Sequence, residues 1–198
     1  MQVQTVVIVL ALLLTPCVWA AALKGPCDPG IQSAFRSGSE VEMDIRAGNI
    51  EILGSDAQMV RVVCTPGRNG STRGVQAEFS DTAGRGRLRV HGGAADDVRI
   101  RIEVPKRTNV VVRSTAGDLD VIGIRGHKDV SLRAGDLTID VGDPAEYRLA
   151  EASVTAGDIK ASAFRVHKGG LFRSFRHENS SGHFRLKARL WAGDLKLQ

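Results

Sequence analysis

Aromatic side chains make up only 5% of this 198-residue chain, with one Tyr, two Trp and six Phe. A core with so few large rings is filled by small and branched aliphatics, which fits thin sheets joined by turns better than packed helices. Long apolar runs are also missing. The one continuous stretch, Val6 to Leu14, has nine residues. As a helix it would rise about 14 Å, against a hydrocarbon core of about 30 Å. Charge is absent from the first 22 residues, which hold no Lys, Arg, Asp or Glu, and the apolar run is followed by Thr15-Pro16 and "WAAA". This layout predicts a secretory signal peptide over residues 1–22, cleaved after Ala20 or Ala22. The lack of a basic n-region leaves an uncleaved anchor as the alternative. Cys17 follows "LLTP", a poor lipobox because Pro precedes the cysteine.

Cysteine is scarce. Removal of the signal leaves Cys27 and Cys64, in a compartment where disulfides persist. Pairing them would constrain the unfolded chain by on the order of 4 kcal/mol. Alternatively, Cys64 in the alternating "MVRVVC" is a small buried apolar group. Residues 23–35, "LKGPCDPGIQSAF", read as a leader to a domain over 36–198.

Catalytic signatures are missing too. The chain has no G-x-x-x-x-G-K-[ST], G-x-S-x-G, C-x-x-C or H-E-x-x-H, and "HENSSGH" at 177–183 has the wrong spacing for two ligands on one helical face. No catalytic residue, metal or cofactor is expected.

What the chain does have is 22 Gly and a repeat. "RAGNI" at 46, "TAGDL" at 115, "RAGDL" at 133, "TAGDI" at 155 and "WAGDL" at 191 share Ala-Gly-Asp or Ala-Gly-Asn followed by an aliphatic residue. Four and two residues before each Ala stand Met43/Ile45, Val112/Ser114, Val130/Leu132, Ala152/Val154 and Ala188/Leu190, of which only Ser114 is polar. Three and five residues after it come Ile50/Ile52, Leu119/Val121, Leu137/Ile139, Ile159/Ala161 and Leu195/Leu197, all apolar. Period-two alternation on both sides of a fixed tripeptide means strand, corner, strand, with one face buried.

The predicted turn residues are Gly48, Asn49, Gly117, Asp118, Gly135, Asp136, Gly157, Asp158, Gly193 and Asp194. Gly takes positive φ without a Cβ penalty, and Asp or Asn accepts the backbone N–H two residues on. Successive Asp positions 118, 136, 158 and 194 lie 18, 22 and 36 residues apart. That spacing predicts β-solenoid coils, with one degenerate coil between 158 and 194. Serial antiparallel hairpins fit the alternation nearly as well. Upstream, "DTAGRGRLRV" reads as a decayed copy in a less regular N-terminal half. The fold expected is a single-domain all-β solenoid with repeated corners.

The alternating strands, "IEVP" and serial "AGDL" units resemble the bacterial putative-adhesin family over about residues 36–198. The resemblance implies an exported β-repeat domain at the cell envelope with no catalytic residues.

Charge gives the remaining signal. Arg165 to Arg189 holds seven Lys or Arg, three His and one acid, Glu178, within a chain of net charge +5. In "HFRLKARLW", Phe184, Leu186, Ala188 and Leu190 share one parity, and His183, Arg185, Lys187, Arg189 and Trp191 the other. The expected function is adhesion or binding to an anionic polysaccharide or lipid surface through those five residues, in the periplasm or outside the cell. Nucleic acid is not an expected partner of an exported chain. The alternative is a polysaccharide-acting enzyme on a small β-helix, with Asp118 and Asp120 as its carboxylate pair.

Overall fold

The computed structural model describes residues 22–93 and 97–198; the expected signal peptide up to residue 21, with Cys17, lies outside them. Among the described residues are β1 (Leu23–Pro26), β2 (Ile31–Ala34), β3 (Glu40–Ala47), β4 (Asn49–Ser55), β5 (Met59–Pro66) and β6 (Val75–Thr82). These are followed by β7 (Arg85–Gly92), β8 (Val98–Pro105), β9 (Asn109–Ala116), β10 (Leu119–Ile122), β11 (Lys128–Ala134) and β12 (Leu137–Ile139). The last third holds β13 (Tyr147–Ala156), β14 (Ile159–Ala161), β15 (Val166–Lys168), β16 (Leu171–Glu178), β17 (Phe184–Ala192) and β18 (Leu195–Leu197).

The strands form two nine-stranded sheets, ordered β1-β6-β7-β3-β9-β11-β17-β13-β16 and β15-β14-β18-β12-β10-β4-β8-β5-β2. The alternation read from sequence sets their facing sides. Along β3, Val41, Met43 and Ile45 are buried while Glu42 and Asp44 are exposed, and β17 repeats the pattern with Leu186, Ala188 and Leu190 inward. Val, Ile, Leu and Ala from both sheets fill one core that runs from Cys27 to Leu197.

Every Ala-Gly-Asp/Asn unit carries the chain from the first sheet to the second. The resulting rungs β3/β4, β9/β10, β11/β12, β17/β18 and β13/β14 stack in parallel, with β7/β8 parallel on the near side of β3/β4. Antiparallel strands flank this parallel centre: β6 and β1 beyond β7, β5 and β2 beyond β8, β16 beyond β13 and β15 beyond β14. Both sheets therefore keep open edges.

Rung order does not follow chain order. The chain steps from β12 over one position to lay down β13/β14, and only β17/β18 later fills the gap. The interval from 158 to 194 holds a 3₁₀ turn and two antiparallel strands, β15 and β16, in place of the expected degenerate coil. "DTAGRGRLRV" likewise departs from expectation. It is a β6–β7 hairpin whose turn residues Ala83 (φ 52°) and Gly84 (φ 81°) both have positive φ, matching the natural twist of a two-residue hairpin. Nor are residues 23–35 a free leader. They form β1 and β2, and they bury Cys27, Ile31 and Phe35. Their apolar side chains are few but complete the core at its open end, and the Cys27–Cys64 disulfide fastens them to β5 across a Cα–Cα distance of 5.1 Å.

The corners are in close contact with one another. Gly48, Gly117, Gly135, Gly193 and Gly157 all have φ between 100° and 135°, and the N–H of each of the first four donates to the carbonyl of the Ala in the next rung. A Cβ on Gly135 would collide with the Gly117 carbonyl oxygen, and one on Gly193 with that of Gly135. The aspartates do not cap their own turns as expected. Asp136 N–H donates to Asp118 Oδ1 (3.2 Å), Asp194 N–H to Asp136 Oδ1 (3.1 Å) and Asp158 N–H to Asp194 Oδ1 (3.3 Å). Beyond four of the corners the Leu or Ile N–H is engaged by the neighbouring rung, as Leu119 is by Asp136 O at 2.9 Å. Each of these carboxylates takes instead the N–H of the Asp stacked alongside. Caps two residues on occur instead at Asp140, which accepts Gly142 N–H, and at Asp143, which accepts Ala145 N–H.

A methyl group added to Gly142 (φ 69°) would meet nothing within 4 Å, whereas Gly135 is packed against backbone, so the two separate strain from stacking. Gly142→Ala should cost about 1 kcal/mol, and Gly135→Ala more than about 3 kcal/mol, in chemical denaturation. Asp136→Asn, which keeps an acceptor, should stay within about 0.5 kcal/mol of wild type, while Asp136→Ala should lose about 1 to 2 kcal/mol. Equal costs for the two glycines would refute the stacked-corner account. Changing Cys27 and Cys64 together to Ser should lower stability by about 4 kcal/mol, measured as the shift in denaturant midpoint.

Candidate functional site

The residue before each Ala-Gly-Asp/Asn projects from the outer face of the first sheet, because Ala-minus-two and Ala-minus-four point inward. Registers Ala47↔Ala116, Ala116↔Ala134, Ala134↔Ala192 and Ala192↔Ala156 place Arg46, Thr115, Arg133, Trp191 and Thr155 in one row across five strands. Trp191 is 58% exposed, and the Arg133 guanidinium lies over its indole, 5.6 Å from the ring centroid. This cation–π contact links the two side chains across neighbouring strands.

The next outward row contains Asp44, Arg113, Ser131, Arg189 and Ser153. Arg189 donates to Asp129 Oδ1 (2.6 Å) and Ser131 Oγ (2.9 Å), and Arg113 donates to the same carboxylate oxygen at 3.1 Å. Between these rows lies an open depression of about 380 Å³. Its lining includes Arg113, Arg133 and Arg189 with Ser131, Ser153 and Thr155, and no carboxylate.

The five sequence-predicted binding residues separate on this surface. Arg185, Lys187 and Trp191 are exposed and Arg189 is half-buried on the outer side of β17, while His183 precedes the strand. β17 is an internal strand, two positions from the β16 edge, so its cations meet partners from both sides. Lys187 stands between Asp129 and Glu151 in register, and Glu151 is itself paired with Arg176 (2.5 Å). Arg185 lines a second groove of about 450 Å³ together with Glu40, His127, Asp129, Glu151 and Lys187, where both signs of charge mix. The continuous cationic stripe is therefore broken by acids from β11 and β13. Arg133, Arg113 and Arg46, which lie outside the basic segment, join Trp191 only through strand pairing. The one signal in the sequence that pointed to Arg46 and Arg133 is their shared place ahead of the repeat.

At the other end of the same sheet, on its inner side, Lys128 is 1% exposed. Its ammonium donates to the hydroxyl of buried Tyr147 and lies 4.9 Å from that ring's centroid. Burial pushes the Lys128 ammonium down to about 8, opposed by Asp140 and Glu146, and burial raises the Tyr147 phenol above its usual range. His127 next to it accepts Arg185 N–H on Nδ1 (2.9 Å), and burial together with Arg185 lowers its pKa.

No protein-family model matches the chain, and no curated protein matches it. A solved structure does share the fold. A putative cell adhesion protein from Clostridium sporogenes superposes with a TM-score of 0.52 at 10% sequence identity, over 85% of this chain and 99% of that one. At that identity the likeness concerns the fold alone.

Lys128 yields a stability test. An unfolded lysine binds its proton more tightly than the folded one, so folding carries the full cost of burying the ammonium below pH 8 and sheds it as pH rises toward 10.5. The cost is on the order of 3 kcal/mol at about 1.4 kcal/mol per unit. Tyr147 opposes this only above about pH 10, where the unfolded phenol ionises first. Between pH 8 and 10 the melting temperature of wild type should therefore rise relative to that of Lys128→Met; parallel curves would mean that the ammonium is not buried.

Proposed function

We propose that the chain is an exported, non-enzymatic β scaffold that binds an anionic polymer or surface in the cell envelope or outside the cell, in an adhesive role. The observation that carries this reading is the corner-proximal row on the first sheet, which sets Arg46, Arg133 and an exposed indole in line and contains no acid. Exposed Asp44 lies two residues before Arg46 on the same outer face and the corner aspartates follow the row, while farther along the sheet Asp129 is engaged by Arg113 and Arg189, Glu151 by Arg176 and Glu42 by Arg87. Such occupied acids suit neither a general acid nor a nucleophile. The adhesion description of the structural neighbour and the resemblance of the repeat both support the same role. The solenoid-like stacking of rungs suits it mechanically, since each rung repeats the same outward positions along an extended face. Among the described residues no helix is long and apolar enough to cross a membrane.

Protein recovered from the periplasm or culture medium should be retained on anionic polysaccharide or anionic vesicles at low salt. It should pass through neutral dextran and zwitterionic vesicles, and retention should fade over a few hundred millimolar salt as screening shortens to a few ångströms. Equal passage over charged and neutral surfaces at low salt would rule out the anionic-surface role.

A further inference from the structure

The corner tripeptide is held by backbone contacts, but the residue ahead of it is not, and that freedom makes the row a place where recognition can be written. Along the stack the row reads Arg46, Thr115, Arg133, Trp191, Thr155. Neighbouring strands lie about 4.8 Å apart, so the two cations are separated by roughly 10 Å and the row extends about 19 Å. Resting on the anionic-polymer reading above, we infer that this row is a glycan-binding site. It takes an extended acidic polysaccharide laid across the strands, about one sugar per rung, with acidic groups on alternate sugars.

Three observations favour a sugar chain over a lipid surface. Within the five residues of the row the exposed large apolar group is the indole in contact with Arg133, with exposed Leu171 and Phe172 beyond its Thr155 end on β16, and an indole face stacks on the C–H face of a pyranose. Ser131, Ser153 and Thr155 line the adjoining depression and supply hydroxyls that both donate and accept, as sugar hydroxyls require. Among the described residues no carboxylate pairs with Arg46 or Arg133, so their guanidiniums remain available to grip carboxylate or sulfate in two-point fashion. Charge also sets the direction. A polymer running along a strand would go from Trp191 past Arg189 toward Asp129 and Glu151, whereas one running along the row meets no acid. The corner aspartates lie past the bend, and Asp118, Asp136 and Asp194 each accept a backbone N–H.

Hyaluronan oligosaccharides, which carry a carboxylate on every second sugar, are the probe, measured by calorimetry and indole emission on protein recovered from the periplasm or medium. Affinity should climb with length from the disaccharide and level off once about five sugars cover the row. Trp191→Ala and Arg133→Gln should each weaken binding at least about tenfold, as for anchor residues, and Trp191→Ala should abolish the emission change. Arg185→Ser with Lys187→Ser should change it by no more than about threefold, as expected of partly neutralised surface charges. Unchanged affinity in Trp191→Ala and Arg133→Gln would overturn the row as the site while leaving the anionic-polymer reading standing. Binding of anionic vesicles but not hyaluronan would overturn the glycan and keep the anionic surface. Absence of wild-type binding to hyaluronan, other acidic polysaccharides and anionic vesicles alike at low salt would overturn both.

Discussion

Close backbone approach at the corners is the constraint on which the rest of this structure depends. Gly135 stacks against the Gly117 carbonyl and Gly193 against that of Gly135, at a distance that no side chain fits. Each contact fixes the register of two sheets at once, because the same tripeptide ends a strand in the first and begins one in the second. Side chains alternate with period two, so a slip of one residue would turn Val130 and Leu132 outward and Asp129 and Ser131 into the core. The stacked aspartates reinforce that choice, since every Oδ1-to-N–H bond joins one rung to the next rather than closing its own turn.

Fixed register in turn arranges the outer face. Residues that share a motif position become neighbours about 4.8 Å apart, whatever their separation in sequence. Arg133 and Trp191 come together this way from 58 residues apart, as do Arg189 and Asp129 from 60. Exposed ion pairs of this kind contribute about 0 to 1 kcal/mol each, so they matter less to stability than to potential. They pair charges over the middle of the sheet, whereas among the described residues Arg46 and Arg133 near the corners have no carboxylate within ion-pair distance.

The two ends of the first sheet thus have different characters. Near the corners, hydroxyls, guanidiniums, an indole and the corner carboxylates face solvent. At the opposite end, the Lys128 ammonium and the Tyr147 hydroxyl are buried together at the start of β11 and β13, on either side of β17. Burying that ammonium costs stability below about pH 8, even with its hydroxyl partner. Its placement beside the last-inserted rung gives that end a demand for correct pairing, since a misplaced β17 would leave the ammonium without its oxygen partner.

Much of the fold was legible in the chain because strand alternation and corner chemistry are local. Val112, Val130 and Leu190 inward, Lys187 and Trp191 outward, and positive φ at the motif glycines all follow from residues within a few positions of each other. The order of the rungs does not. Identical corners can stack in any sequence, and only the antiparallel β15 and β16 on the far edge, with β17/β18 inserted inside them, show which order the core selects. The role of residues 23–35 was also hidden, because two four-residue strands with Gly and Pro carry almost no pattern until β5 and β6 offer them edges. The basic run from Arg165 to Arg189 looked like one surface, yet pairing across β11, β17 and β13 divided it. By itself the sequence determined two faces, their corners and the buried alternation, since these depend on neighbours along the chain. Tertiary structure alone decided which charges meet acids and which remain free, because that depends on what lies one strand away.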